Sequence, residues 1–294
     1  AQLAGQGFFE IMNNSLTTAT YQELSSDINP SEQVAILNPL SQDLAVMRQS
    51  MLFSGLETIA YNNNRKRSDL ALFEFGKTYH KLGDTYIEPK HLSVFLSGNV
   101  YPEAWNAPIE RTNFYYLKGY VMNIFQRLGI EFLSEKPSQE AIFQEGIQLF
   151  KGKTLLASLG VVKRSILNHF EIKQEVFFAD IYWDKVLENL SKEVVYTEIP
   201  KYPEVRRDLA LLLQEDTSFE QLYQLAFVTE KELLKKVSLF DVYQGEKLPK
   251  GKKSYALSFV LQDKNKTLTD TQIDKVMEAL LGAFQRETGA ILRS

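Results

Sequence analysis

The last hundred residues admit few folds, because two helix-start signals and four strand-like runs alternate in a restrictive order. Residues 207–213, RDLALLL, read as a buried-type strand. Thr217 followed by Glu220 reads as a capping box, opening a helix that carries Phe219, Leu222, Tyr223 and Ala226. Strands over 236–243 and 253–261 follow, joined by the turn-rich QGEKLPKGK. Thr269 with Gln272 is a second capping box. It opens a helix whose Ile273, Val276, Met277, Leu280, Leu281 and Phe284 recur at spacings of three and four. Gly289 stops that helix, and 290–293 closes the chain as a short strand. The order β-α-β-β-α-β is the ferredoxin-like plan.

That plan covers one sheet face with two helices and leaves the other open, and side chains alternate between faces along a strand. Leu209, Leu211 and Leu213 are expected inward, which turns Asp208, Ala210 and Leu212 outward. Phe240 and Val242 are expected inward and Asp241 and Tyr243 outward. On the third strand Tyr255, Leu257, Phe259 and Leu261 go in, and Ser254, Ala256 and Ser258 go out. Small side chains let a flat ring approach the backbone, a tyrosine offers a stacking plane, and a carboxylate accepts from a base amine. Single-stranded RNA is read on sheets by this chemistry. The same small residues would also let another domain pack there, and parity alone does not choose.

Upstream, the 15-residue stretch SKEVVYTEIPKYPEV brings Pro200 and Pro203 into an extended segment, which predicts domains over 1–193 and 198–294. The first is expected to be α+β. Strands are predicted over 34–37, 70–79, 92–97, 155–162 and 176–181, with helices over 48–62 and 114–128 and a helix end over 184–190. Short connections favour an antiparallel sheet flanked by helices.

Several chemistries are disfavoured. The chain has no cysteine, and its three histidines (His80, His91, His169) have no ligand spacing, so no metal site is expected. GxxxxGK[ST], GxGxxG and GxSxG are all absent. His80 and His169 read as surface or packing residues, and Arg65-Lys66-Arg67 as a solvated turn. No apolar run approaches membrane-spanning length and the start resembles no signal peptide, which leads to a cytoplasmic expectation. Ala1 opens directly into patterned sequence without an initiator methionine, as a piece of a longer chain would. The net charge is −4. Residues 1–194 hold 18 Lys+Arg against 22 Asp+Glu, and residues 195–294 hold 15 against 15. Neither a membrane nor DNA is therefore expected as a partner, and any RNA contact must be local.

Taken in order, PEVRRDLALLL, SLFDVYQGEKLPKGKKSYALSFVLQDKNKTLTD and GAILR resemble the anticodon-binding domain that closes bacterial phenylalanyl-tRNA synthetase beta subunits. LAGQGFFEIMNNSLT, NPLSQDLAVMRQSMLFSGLETIAYN, LFEFGKTYHK and NFYYLKG resemble the core module of the same subunit. The resemblance implies a class II synthetase-like core that does not itself catalyse. His80 stands where a catalytic relative presents an arginine, and VFFADIYWDKVL lacks the arginine that ends the third class II motif. It also implies ATP and magnesium in the holoenzyme but none held by this segment, an alpha2-beta2 assembly with a catalytic alpha subunit, and phenylalanine transfer RNA as the nucleic-acid partner. The family's anticodon contacts carry over to Ala210, Asp241, Tyr243 and Ser254. Arg206, Lys252 and Lys253 are expected as supporting RNA contacts. The alternative is a stand-alone RNA-binding or regulatory protein built from the same modules.

Overall fold

The computed structural model describes the chain except residues 132, 191–195, 197, 246–247 and 294, and it divides into two compact units, Ala1–Val194 and Val195–Ser294. The boundary expected between 193 and 198 falls largely outside the described residues.

The first unit runs α1 (Gln2–Gly5), β1 (Phe9–Glu10), β2 (Leu16–Thr17), β3 (Val46–Met47), α2 (Leu52–Asn63), β4 (Leu70–Lys77), β5 (His80–Leu82), β6 (Thr85–Ile87) and β7 (Lys90–Ser97). It continues with α3 (Phe114–Arg127), β8 (Ser134–Pro137), β9 (Phe143–Lys151), β10 (Thr154–Val162), α4 (Arg164–His169), β11 (Val176–Tyr182) and α5 (Trp183–Glu188). Seven strands form one sheet in the order β1-β4-β7-β11-β10-β9-β8. Only the β1–β4 pair is parallel.

Alternation splits the sheet's side chains between two cores. Phe73, Val94, Ala179, Leu159 and Leu149 pack with Leu117, Val121 and Phe125 of α3. Leu72, Phe95, Phe178 and Phe143 pack with Leu52, Leu56 and Ile59 of α2. Helix α2 lies so close to the sheet that a Cβ on Gly55 would sit 2.1 Å from the Phe95 ring. Glycine is needed there for approach, against its cost within a helix.

Three features of this unit differ from the expectation, the first being that the helix expected over 48–62 begins only at Leu52. The strand expected over 34–37 is reduced to one isolated bridge, Ala35 to Val46, because the chain turns away at Asn38-Pro39. Strand β9 had no clear sequence signal, since Gly146 and polar residues interrupt its pattern, yet it pairs along β10.

The second unit contains β12 (Val205–Gln214), α6 (Phe219–Thr229), β13 (Leu234–Tyr243), β14 (Lys252–Leu261), α7 (Asp270–Thr288) and β15 (Ile291–Leu292). Its sheet order is β13-β14-β12-β15, antiparallel throughout. Leu211, Leu213, Leu257, Phe259 and Leu261 bury against Leu222, Ala226, Ile273, Leu280 and Phe284 of the two helices. The second capping box forms as expected at Thr269 and Gln272, and Gly289 ends α7 at φ +63°. The first is displaced by one residue: Ser218 accepts from Gln221 N and the Gln221 side chain accepts from Ser218 N. Thr217 is instead buried in the turn out of β12, where its N–H donates to Gln214 O. Both units are mixed α+β with antiparallel sheets. Among the described residues no helix is long and apolar enough to cross a membrane.

Candidate nucleic-acid interface

The face of the second sheet turned away from α6 and α7 is built from three cross-strand rows. Tyr243, Ser254 and Leu212 lie opposite one another across β13, β14 and β12. Asp241, Ala256 and Ala210 form the next row, and Ser238, Ser258 and Asp208 the third. Neighbouring strands are about 4.8 Å apart. Ala210, Asp241, Tyr243 and Ser254 therefore fall within two adjacent rows.

The route by which Asp241 and Tyr243 reach this face differs from the expectation. Val237 and Leu239 lie opposite Phe259 and Leu257 on the helix side. Unbroken alternation from them would carry Asp241 and Tyr243 into the core. A bulge between Leu239 and Asp241 inserts one extra residue and resets the pattern. The extra residue is Phe240, expected inward; it is instead 54% exposed, with the Arg206 guanidinium 5.4 Å above its ring. Val242, also expected inward, lies opposite Tyr255 but is 52% exposed.

Nor is the face bare. Ser254 and Ser258 are each only 5% exposed although they point away from the helices. Long side chains from the strands extend over them. Arg293, whose N–H donates to Ala210 O at 2.8 Å, brings its guanidinium to 5.6 Å from the Tyr243 ring centre. Arg206 donates to Asp208 through Nε at 3.0 Å and a terminal nitrogen at 3.3 Å. That pairing, with a hydrogen bond from Ser258, holds the Asp208 carboxyl below its ordinary pKa.

The supporting cations divide. Arg206 is on the face, and Lys252, opposite Gln214, has the same parity as Ser254. Lys253 has the opposite parity: it is 7% exposed with its ammonium 4.7 Å over the Tyr255 ring, and so does not join the others. Its alternation from Ser254 already carried that signal. Arg293 was missed, because a chain-end arginine has no pattern that shows it reaching across two strands.

In the first unit, the part of the α2 sheet face left free by the apolar core is polar. Glu74, Ser93, Asp180, Ser158 and Gln148 stand opposite one another across five strands. Arg48 donates to Glu74 at 2.9 Å, to Lys77 O at 3.0 Å and to Ser54 at 3.4 Å, with Arg48 and Glu74 both buried. Glu140 accepts from Ser158 and Gln148, and burial pushes its carboxyl up.

His91 joins Asp180 at 2.9 Å through Nδ1 and Thr78 at 3.0 Å through Nε2. Burial works against its charged form, but the Asp180 carboxylate outweighs that and raises its pKa. The Thr78-His91-Asp180 order imitates a hydrolase triad, yet Thr78 and His91 are buried. Thr78 also contacts His80, which in turn pairs with Glu32 at 3.1 Å. A nucleophile so enclosed has no access to substrate. The band does not fit a nucleoside triphosphate either: Glu74, Asp180 and Glu140 would repel phosphates, and Arg48 is already committed.

Comparison with known proteins gives matches over both units. The profile of the family described as phenylalanyl tRNA synthetase beta chain CLM domain matches residues 1–183. That of the ferredoxin-fold anticodon binding domain matches residues 200–293. The phenylalanine–tRNA ligase beta subunit of Bacteroides fragilis is 44% identical over 305 residues, and that of Porphyromonas gingivalis 39%. Each alignment covers 99% of this chain and 37% of the relative, so the chain spans little more than a third of their length. Among solved structures, pyrrolysyl-tRNA synthetase from Desulfitobacterium hafniense aligns with a TM-score of 0.49 at 14% identity, over 66% of this chain and 70% of that one.

Proposed function

The chain belongs to the phenylalanyl-tRNA synthetase beta-chain family, and on that premise we propose that it supports phenylalanine attachment without performing the chemistry. In this reading residues 1–193 are a non-catalytic class II-like module that contacts a catalytic alpha subunit in an alpha2-beta2 enzyme of the cytoplasm. Residues 198–294 bind the anticodon of phenylalanine transfer RNA through Ala210, Asp241, Tyr243 and Ser254. ATP and magnesium serve the alpha subunit.

One observation carries the reading. The register of β13 against β14 sets Asp241 in one row with Ala256 and Ala210, and Tyr243 in the next with Ser254 and Leu212, on the sheet face turned away from the helices. Asp241 accepts from an exocyclic amine, Tyr243 stacks, Ala210 leaves room, and Ser254 is reached once the side chains over it move aside. Arg206 and Lys252 neutralise neighbouring phosphates, which fix register without selecting sequence.

The test uses the whole chain and an RNA hairpin bearing the phenylalanine anticodon in a seven-nucleotide loop, beside a hairpin with that anticodon changed. Tighter binding of the first is expected, with Asp241→Ala reducing the discrimination. Equal affinity for both hairpins overturns the reading. Pyrophosphate exchange is expected only once alpha subunit is added; exchange by this chain alone would overturn the non-catalytic assignment.

A further inference from the structure

We propose that Phe240 is a second base-stacking station on the same face, separate from Tyr243 and lidded by Arg206, so that the face holds two nucleotides. This rests on the anticodon-binding reading and adds to it a residue that strand parity assigns to the core.

The argument begins with what the bulge does not require. Were residue 240 absent, Leu239 would still face inward and Asp241 outward by simple alternation, with Asp241 opposite Ala256. The extra residue is not needed to set the faces, and its ring is not packed in the core. What it adds is an exposed aromatic plane beside Asp241. Bulges near binding sites serve to re-aim a side chain in this way.

The second observation is repetition. Each of the two rings, the exposed Phe240 and the half-buried Tyr243, has one guanidinium above it: Arg206 at 5.4 Å from the Phe240 centre and Arg293 at 5.6 Å from the Tyr243 centre. Phe240 and Tyr243 are three residues apart on one strand, roughly 10 Å at the usual rise. That separation suits two splayed nucleotides rather than one base touching both rings. Beside the rings lie Ser238 and Ala256, both short and partly exposed, whereas Ser254 and Ser258 are covered until the long side chains over them move aside.

The lids can lift at small cost. Arg206 and Asp208 are both largely exposed, and an ion pair between exposed groups is weak. A base displacing the guanidinium gains the ring's face, while the arginine stays near the phosphate that the base brings with it. Arginine suits this exchange because its planar group stacks on rings and also pairs with phosphate.

The experiment measures binding of the whole chain to the phenylalanine-anticodon hairpin and to seven versions, each with one loop nucleotide made abasic. Wild type, Phe240→Ala, Phe240→Tyr and Tyr243→Ala are compared, with thermal melts confirming that each variant is folded. Phe240→Ala is expected to weaken the intact hairpin by about 5- to 150-fold, and Phe240→Tyr to retain binding. At one abasic position the Phe240→Ala loss should vanish, and Tyr243→Ala should couple to a different position. If Phe240→Ala costs nothing, or costs the same at every abasic position, the second station is refuted while Tyr243 keeps its role. If wild type does not distinguish the hairpin from one with a changed anticodon, the underlying reading fails instead.

Discussion

Removing Arg48 should be costly because it leaves Glu74 as a buried anion without its partner. The two groups meet at 2.9 Å with side chains 4% and 2% exposed. Two unit charges about 4 Å apart attract by about 4 kcal/mol at an effective dielectric near 20. After Arg48→Met, Glu74 keeps only Asn13 as a donor among the described residues, at 2.8 Å through Nδ2 and 3.3 Å through N. Breaking one side of such a pair typically costs about 3–5 kcal/mol, whereas replacing both sides with apolar groups is often near neutral.

The double variant Arg48→Met/Glu74→Leu should therefore recover most of the loss suffered by Arg48→Met. Urea unfolding followed by tryptophan fluorescence suits the measurement, because both tryptophans, Trp105 and Trp183, lie in the first unit. With a slope of about 2 kcal/mol per molar urea, the single variant's midpoint should fall by about 1.5–2.5 M. If single and double variants unfold at the same midpoint, the loss comes from the packing of the arginine stem, and the orphaned-charge reasoning is refuted.

Four further outcomes follow from the geometry. Gly55→Ala gains up to about 1 kcal/mol of helix propensity, but it forces Phe95 aside at a typical cost of about 1–3 kcal/mol. A lower unfolding midpoint for the first unit is expected, and an unchanged or higher one would contradict the close approach. His91 has a raised folded pKa, so its stabilisation is complete below the unfolded value near 6.5 and is lost as pH rises through the folded value. Urea midpoints of the wild type should fall across that window, and His91→Asn should flatten the fall. Ser218→Ala removes the α6 cap and should cost about 1 kcal/mol, read as an earlier loss of far-ultraviolet circular dichroism in the second unit. Lys252→Ala should weaken all hairpins alike and reduce the slope of log affinity against log salt by about one, whereas Lys253→Ala should leave that slope unchanged.

The second unit was legible because its signals are local. Capping residues, Gly289 and the three-and-four stripe of α7 act within a few residues of themselves, and the shift from Thr217 to Ser218 at α6 moves nothing else. The polar band of the first unit was not legible. Glu74, Ser93, Asp180 and Ser158 come from four strands separated by as many as 106 positions in sequence, and only sheet register brings them into one row. Strand β9 was hidden for a related reason: its place is set by pairing with β10 rather than by its own pattern.

The binding face lies between these cases, and its placement shows how a local rule can reach the right residues by the wrong step. Counting alternation back from Val242 places Asp241 and Tyr243 outward and Phe240 inward. Counting forward from the buried Val237 places Asp241 and Tyr243 inward and Phe240 outward. Both counts describe a continuous strand, and they conflict within β13 itself. A conflict of that kind requires an irregularity somewhere between Leu239 and Val242, and the bulge found there satisfies the inward demands of Val237 and Leu239 together with the outward placement of Asp241 and Tyr243. Phe240 is the residue on which the two counts disagree and the forward count is right, and its exposed ring is then the natural place to look for chemistry that the core does not need.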